Sequence, residues 1–150
     1  MAKGAVIHCG GNVKNLDGGF WCLPTILNHV NHSMKIMTEE TFGPIIPVMS
    51  FTTVEEAVKL VNDTIYGLSA AVFAGYEAEA LAIACQIKAG GISINDAGLT
   101  AFINEGEKNY FNFSGLGASR MGVDGIKRFL RKKAILNKVN SVISPWWFKS

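Results

Sequence analysis

The chain has 150 residues, the size of one domain, and 49% of them are hydrophobic while 17% are charged. This composition excludes a disordered chain, although the charged fraction lies below the roughly 25% that is typical of soluble domains. The formal charge of +2 is too small to favour a nucleic-acid partner, and no apolar run approaches the roughly 20 residues that span a bilayer.

The N-terminal part of the chain predicts short strands separated by turns. Residues 5–9 form an apolar run that ends at Gly10, and residues 15–19 predict a second turn. Residues 20–30 predict extended structure interrupted by Pro24. Because proline cannot donate to a strand ladder, Pro24 favours an edge position in a sheet.

From residue 45 the pattern predicts alternating strands and helices. Strands are expected over residues 45–51, 67–74 and 91–95, with a first helix that begins after Thr53 and a second helix over residues 78–88. Thr53 and Glu56 form a capping box, and Gly90 is placed as the C-terminal cap of the second helix. The expected buried helical positions are Val54, Ala57, Val58 and Val61, then Ala80, Leu81, Ile83 and Ala84. This alternation predicts right-handed crossovers and a parallel sheet.

The C-terminal third is less regular. Residues 96–123 show little periodicity, and a long irregular segment inside a compact domain is usually functional. A third helix is predicted over residues 123–132, followed by a strand over residues 134–143 and a tail that contains Trp146, Trp147 and Phe148. Aromatic residues are enriched at interfaces, so this tail suits an oligomer contact.

Glu40 and Phe42 are candidate binding residues at the entrance of the strand that follows Gly43-Pro44. A carboxylate at this place can accept hydrogen bonds from two sugar hydroxyls, and a nearby ring can lie against a flat heterocycle. Taken alone, the residues favour the simpler interpretation of a solvated glutamate and a core phenylalanine.

Four blocks in order make the chain resemble the C-terminal part of the aldehyde dehydrogenase superfamily. The blocks are Glu39-Glu40-Thr41-Phe42-Gly43-Pro44, Asn62-Asp63-Thr64-Ile65-Tyr66-Gly67-Leu68, Gly90-Gly91-Ile92-Ser93-Ile94-Asn95 and Ser114-Gly115-Leu116-Gly117. The resemblance covers nearly the whole chain. It implies an α/β fold, with a parallel-type sheet, flanking helices and an incomplete Rossmann-like catalytic domain over residues 1–133. A C-terminal oligomerisation strand would occupy residues 134–150.

The resemblance also implies site residues and a cofactor. Glu40 would bind the nicotinamide ribose and Phe42 would flank the nicotinamide of NAD or NADP, which would be held mainly by a nucleotide-binding domain outside this chain. Asn95 would lie at the end of a core strand near the substrate tunnel. The implied reaction oxidises an aldehyde through a cysteine thiolate, with a glutamate as general base, and both groups would lie upstream of residue 1. The chain alone is therefore expected to be inactive and to form part of a homo-oligomer.

None of the three cysteines in the sequence is a strong candidate for a catalytic nucleophile. Cys9, Cys22 and Cys85 are better explained as small buried hydrophobic side chains than as nucleophiles. Without paired spacing they also argue against a disulfide framework, so a reducing compartment and a cytoplasmic location are predicted. No strand–GxGxxG–helix unit is present, since Arg120 stands where a third glycine would fall after Gly115 and Gly117.

The chain departs from the usual family pattern at the substrate mouth, where residues 107–113 replace a Pro-Phe-Gly-Gly block. Tyr110, Phe111 and Phe113 in this interval either line an apolar aldehyde channel or pack the core beneath the loop. The resemblance leaves open the choice between NAD and NADP and the identity of the aldehyde.

Other features favour simpler interpretations. His29 and His32 lack a third ligand in the sequence pattern, which disfavours a zinc site. The basic run over residues 127–133 is best explained as cations near the negative end of a helix. Two alternatives to an aldehyde dehydrogenase fragment remain at this point: a non-catalytic association module and a fragment of a related acyl-phosphate or acyl-thioester reductase.

Overall fold

The computed structural model describes residues 3–116 and 121–137, which fold into short strands and helices. The strands are β1 (Val6–Cys9), β2 (Val13–Leu16), β3 (Gly19–Cys22), β4 (Thr25–Asn28), β5 (Ile45–Pro47), β6 (Ser69–Val72) and β7 (Gly91–Ile94). The helices are α1 (Lys35–Thr38), α2 (Val54–Asn62), α3 (Glu77–Ala84), α4 (Leu99–Phe102) and α5 (Asp124–Lys127), with a 3-10 turn at Asn112–Ser114. This mixed α/β arrangement is consistent with a partial Rossmann-like domain and confirms the predicted fold class.

The first sheet has the strand order β1-β4-β5. β1 pairs antiparallel with β4 and carries an irregularity between Ile7 and Cys9, whereas β5 pairs parallel with β4, with Thr25 opposite Ile45. The predicted edge position near Pro24 is wrong for β4, which lies between two partners. Pro24 precedes the strand, so its missing N–H removes no bond from the ladder.

Strands β2 and β3 form a separate hairpin. The predicted turn is confirmed at Asp17 and Gly18, whose φ angles of 51° and 80° suit a two-residue hairpin turn. The other residues of the predicted turn belong to the strands: Asn15 and Leu16 end β2, and Gly19 begins β3. Phe20 and Trp21 are exposed on this hairpin, and a two-stranded hairpin without cover is only marginally stable.

The unit β6-α3-β7 contains a small hydrophobic core. β6 and β7 are parallel and α3 connects them, as the alternation predicts. Val72, Ala80 and Ala84 are buried, and Ile92 and Ile94 pack against them. A second buried pair, Val30 and Met34, lies in the segment after β4.

Three details of the strand–helix prediction are wrong. β5 pairs with β4 and not with β6, so the described strands do not form one continuous parallel sheet. Leu81 is exposed although it was expected to face inward. α3 ends at Ala84 with Cys85 as its cap, so Gly90 is not a helix cap. Periodicity indicates the type of an element, while the partner of a strand depends on distant residues.

Helix α2 begins as predicted but its apolar face is uncovered. The Thr53 Oγ1 accepts a hydrogen bond from the Glu56 backbone N–H at 3.2 Å, and the Glu56 carboxylate accepts one from the Thr52 backbone N–H at 2.7 Å. The prediction that this face is buried is wrong for this chain, because no residue of α2 is buried.

The C-terminal elements are shorter than predicted. α5 spans Asp124–Lys127 instead of residues 123–132, and residues 134–137 form no strand. The rest of the predicted strand, to residue 143, and the aromatic tail lie outside the described residues. Among the residues that are described, no helix is long and apolar enough to cross a membrane.

Candidate functional site

Glu40 and Phe42 lie just before β5, at the strand entrance that the sequence predicts. The turn beneath them is fixed by two backbone hydrogen bonds, from Ile45 N–H to the Gly43 carbonyl and from Thr25 N–H to the Pro44 carbonyl, both 2.8 Å long. Glu40 is exposed, and the Phe42 ring is 95% exposed. The expectation that Phe42 belongs to the core of this chain is therefore excluded. The pair presents an accessible carboxylate and an uncovered ring on a fixed turn.

Asn95 joins the carboxyl ends of β6 and β7. Its backbone N–H donates to the Val72 carbonyl at 2.8 Å, and its side-chain Oδ1 accepts from the Ala74 N–H at 2.9 Å. The residue has a φ of 52°, a left-handed conformation that asparagine tolerates well. Because Oδ1 is committed to Ala74, a ligand at this end of the sheet can use the Nδ2 donors.

The loop that carries Phe111 and Phe113 is bonded to the segment before β6. Phe111 N–H donates to the Gly67 carbonyl at 3.1 Å, and Phe113 N–H donates to the Ile65 carbonyl at 2.9 Å. The Ser114 hydroxyl accepts from Gly67 N–H at 2.8 Å. The two rings are 42% and 80% exposed, so Phe113 does not pack into the core of this chain. The loop position is fixed by its backbone, which leaves both rings at the surface.

An open cavity of about 390 Å³ lies beside β7 and α4. Its lining includes Gly91, Thr100 and Lys108, and the Lys108 ammonium donates to the Thr100 carbonyl. Ser93, nearly fully buried on β7, accepts a hydrogen bond from Thr100 N–H at 3.3 Å. The sequence marks this irregular region as functional but contains no motif that singles out Thr100 or Lys108.

A charged cluster connects this cavity to α5. The Glu107 carboxylate accepts a hydrogen bond from the Asp124 backbone N–H at 2.8 Å, and Lys127 forms an ion pair with Asp124. The hydrogen bond from Lys127 is the main cause that lowers the pKa of Asp124, and Glu107 acts in the same direction. The same pairing raises the pKa of Lys127. Of the basic run over residues 127–133, Lys127 lies in the last turn of α5 and belongs to a local ion pair, whereas residues 128–133 follow the helix, so the predicted helix does not carry the run.

The histidine and cysteine candidates lie outside the sites described above. His32 Nδ1 is 2.7 Å from the Asp63 carboxylate at the end of α2. Over residues 3–116 and 121–137, no group of three or more side chains has the arrangement of a metal site. Cys9, Cys22 and Cys85 are free and exposed. Their predicted burial is wrong, because two lie on strands with little cover and the third ends α3.

Comparison with known proteins identifies relatives that share both sequence and fold. The sequence model described as the aldehyde dehydrogenase family matches residues 1–137. A chloroplastic betaine aldehyde dehydrogenase from Atriplex hortensis is 34% identical over 154 aligned residues, which cover 99% of this chain and 29% of that protein.

Two solved structures extend the comparison to the fold. The candidate aldehyde dehydrogenase PutA from Anabaena variabilis is 70% identical with a TM-score of 0.86, over 99% of this chain and 32% of that one. A betaine aldehyde dehydrogenase from Staphylococcus aureus in complex with NAD+ is 34% identical with a TM-score of 0.84, over 99% of this chain and 29% of that one. The chain thus spans less than a third of the length of these relatives.

Proposed function

This chain belongs to the aldehyde dehydrogenase family, and we propose that it forms the C-terminal part of the catalytic domain of an NAD(P)-dependent aldehyde dehydrogenase. The parent activity would be the oxidation of an aldehyde to a carboxylic acid. The observation that carries the proposal is the agreement of fold over 99% of the chain with a relative described in complex with NAD+. Glu40, Phe42 and Asn95 fall within this matched length.

Glu40 and Phe42 fit a role in holding the nicotinamide riboside. The carboxylate offers two oxygen acceptors for a pair of ribose hydroxyls, and the neighbouring ring offers a flat apolar surface for the nicotinamide. Both groups are exposed on a turn that backbone hydrogen bonds hold against β4. When bound, NAD(P) supplies the hydride acceptor of the reaction. The contribution of this chain is to orient that acceptor, while the rest of the dinucleotide would be bound elsewhere in the parent protein.

Asn95, Phe111 and Phe113 are proposed to form one wall of the substrate channel. Asn95 has amide donors available at the carboxyl end of β7, and polar donors there can orient a carbonyl oxygen. The exposed rings of Phe111 and Phe113 provide the apolar surface that small-molecule sites commonly have. The loop bonds to Ile65 and Gly67 would keep these rings in place.

The chain alone is proposed to be inactive. Thiolate catalysis requires an activated cysteine and a base that is positioned beside it. In the family pattern these groups precede the segment that this chain matches, and no described cysteine is paired with such a base by a hydrogen bond. Residues 134–150 are proposed to supply the oligomer contact of the parent protein.

A chimeric enzyme tests the proposal. The chain would replace the matched 32% of the Anabaena PutA protein, and formation of NADH or NADPH from betaine aldehyde and from a short aliphatic aldehyde would be followed by absorbance. We expect turnover by the chimera and none by the isolated chain. Turnover by the isolated chain, or a folded but inactive chimera, would contradict the proposal.

Glu40→Gln in the chimera tests the ribose contact. Loss of a charge-assisted hydrogen bond should raise the KM for the dinucleotide about ten-fold or more. The matched control is Glu39→Gln, because Glu39 is an exposed neighbour that pairs only with Lys35 among the described ion pairs. Equal effects of the two substitutions would remove Glu40 from the binding site.

A non-catalytic association module is the second candidate function. The exposed apolar residues of the hairpin and of α2 favour it, since uncovered apolar surface promotes association. A folded chimera without activity, together with self-association of the isolated chain in light scattering, would support this alternative.

A further inference from the structure

A pocket with a positive lining lies between the loop that precedes the 3-10 turn and the C-terminal residues around α5. It has a volume of about 570 Å³, within the range of small-molecule sites. Four cationic and two anionic side chains line it, a net formal charge of +2. The charged residues of the lining are Glu107, Lys108, Asp124, Lys127, Arg128 and Lys132. We refer to this feature as the basic pocket.

The two walls of the basic pocket are joined by hydrogen bonds of the chain itself. The Glu107 carboxylate accepts from the Asp124 backbone N–H at 2.8 Å. The Gly122 N–H donates to the Asn104 carbonyl, also at 2.8 Å. Both bonds connect the loop to the segment where α5 begins. The position of the cations beyond α5 relative to the loop is therefore set by local contacts.

The two carboxylates of the basic pocket are already engaged, while two of its cations are not. Asp124 forms an ion pair with Lys127, and Glu107 accepts the backbone bond from Asp124. Over residues 3–116 and 121–137, no ion pair involves Arg128 or Lys132. The lining thus keeps two positive charges for which the described part of the chain supplies no counter-charge.

The charge of Lys132 acts within the basic pocket. The hydrogen bond from Lys127 is the main cause that lowers the pKa of Asp124, and the positive charge of Lys132 makes a smaller contribution in the same direction. Lys132 is therefore close enough to stabilise a negative charge in this pocket. Because α5 ends at Lys127, the dipole of the helix does not explain the place of Lys132.

We propose that the basic pocket binds a small organic phosphate monoester. The Arg128 guanidinium offers paired donors that match two phosphate oxygens, and the Lys132 ammonium adds a point charge. A phosphate monoester carries a charge of roughly −1.5 to −2 near neutral pH, which balances the two cations that form no ion pair. The volume leaves room for the organic part, whose hydroxyls can bond the amide of Asn109. No step of aldehyde oxidation is assigned to this pocket, so the inference does not depend on the proposed function.

Isothermal titration calorimetry with the full chain tests the ligand class. The probes are glycerol 3-phosphate, inorganic phosphate and succinate, in about 0.1 M salt to screen general attraction between charges. We expect a dissociation constant below about 1 mM for glycerol 3-phosphate, weaker binding of inorganic phosphate, and binding of succinate weaker by about ten-fold or more because its charges are separated. Absence of binding by glycerol 3-phosphate, or equal binding of succinate, overturns the proposal.

Charge-matched variants show whether the ester binds in the basic pocket. Arg128→Gln and Lys132→Gln should each weaken binding of glycerol 3-phosphate about ten-fold, since each removes a charge-assisted contact. Arg131→Gln and Lys133→Gln are the controls, because these exposed residues belong to the same basic run but do not line the pocket. The controls remove the same charge and should bind as the unchanged chain does. Equal weakening by the pocket variants and the controls would mean attraction to the whole basic run, and the pocket would be excluded.

The chimera shows whether the basic pocket remains accessible when the rest of an aldehyde dehydrogenase chain is present. We expect the chimera to bind glycerol 3-phosphate with the affinity of the isolated chain. Binding by the isolated chain alone would show that the other part of the protein covers the pocket, and this would overturn the site. A chimera that binds the ester but forms no NADH or NADPH supports the pocket and contradicts only the proposed function.

Discussion

Asn95 has two separable roles at the end of β7, one structural and one proposed for the substrate. Its Oδ1 accepts from Ala74 N–H, and its left-handed φ is tolerated by asparagine and aspartate. Asn95→Asp keeps the acceptor and removes the amide donors. We expect the free energy of unfolding of the chain, measured in urea, to change by less than about 0.5 kcal/mol. The chimera with the same substitution should lose activity.

Asn95→Ala removes the side-chain acceptor of the Ala74 N–H. It also places alanine, which adopts left-handed backbone conformations less readily than asparagine, at a φ of 52°. We expect a loss of about 1–2 kcal/mol in the free energy of unfolding. Full activity of the chimera with Asn95→Asp would show that the amide donors do not serve the substrate. An unchanged stability for Asn95→Ala would contradict the structural role.

Gly90 is required by close packing rather than by a helix end. A Cβ atom at Gly90 would overlap the Asn109 carbonyl, whereas one at Gly75 would meet no atom within 4 Å. Gly90→Ala should destabilise the chain by about 1–3 kcal/mol, the usual cost of overpacking. Gly75→Ala is the matched control and should be neutral or slightly stabilising. Chemical denaturation followed by circular dichroism measures both, and equal stabilities would show that Asn109 moves away freely.

At the residue scale, the sequence predicted the turn before β5 that carries Glu40 and Phe42, but it did not predict the exposure of Phe42 and was wrong about Gly90 and the cysteines. The Gly43-Pro44 pair is a local signal, so the strand entrance could be predicted from adjacent residues. The role of Gly90 depends on Asn109, 19 positions away, which local patterns do not encode. Burial of a cysteine depends on what covers its strand, and the strands of Cys9 and Cys22 carry little cover.

The cap of α2 is the clearest local determinant of an element in this chain. The Thr53 hydroxyl accepts from Glu56 N–H, which satisfies one of the free donors of the first turn. Thr53→Ala should cost about 1 kcal/mol of stability and reduce the helical signal in circular dichroism. Thr52→Ala is the control, because the bond that involves Thr52 uses its backbone N–H. Equal effects of the two substitutions would show that the hydroxyl cap is unimportant.

At the element scale, helix starts and the β6-α3-β7 crossover follow from short-range patterns, while strand partners do not. Spacings of three and four identify α2 and α3, and the connection through α3 fixes β6 and β7 as parallel. β5 and β6 are both short strands without charged residues, yet β5 pairs with β4 and β6 pairs with β7. The composition of the strands alone does not distinguish a pairing of β5 with β4 from a pairing of β5 with β6, since either would place one short apolar strand beside another.

For the whole molecule, a charged fraction of 17% is low for a self-contained soluble domain, and an exposed area of 12250 Å² likewise favours a surface that another polypeptide covers. An unfolded chain of this mass exposes about 23,500 Å², so folding removes only about half of that area instead of the roughly 68–70% of a self-sufficient domain. The slope of unfolding free energy against urea concentration scales with the area exposed on unfolding. We therefore expect the isolated chain to show about 70% of the slope of an ordinary 150-residue domain. The chimera serves as the comparison. Because the rest of its polypeptide covers this surface, its slope of unfolding free energy against urea concentration should be the one expected for its full length. A slope for the isolated chain in the ordinary range for 150 residues would mean that it buries a complete core without a partner, and the need for a covering polypeptide would be refuted.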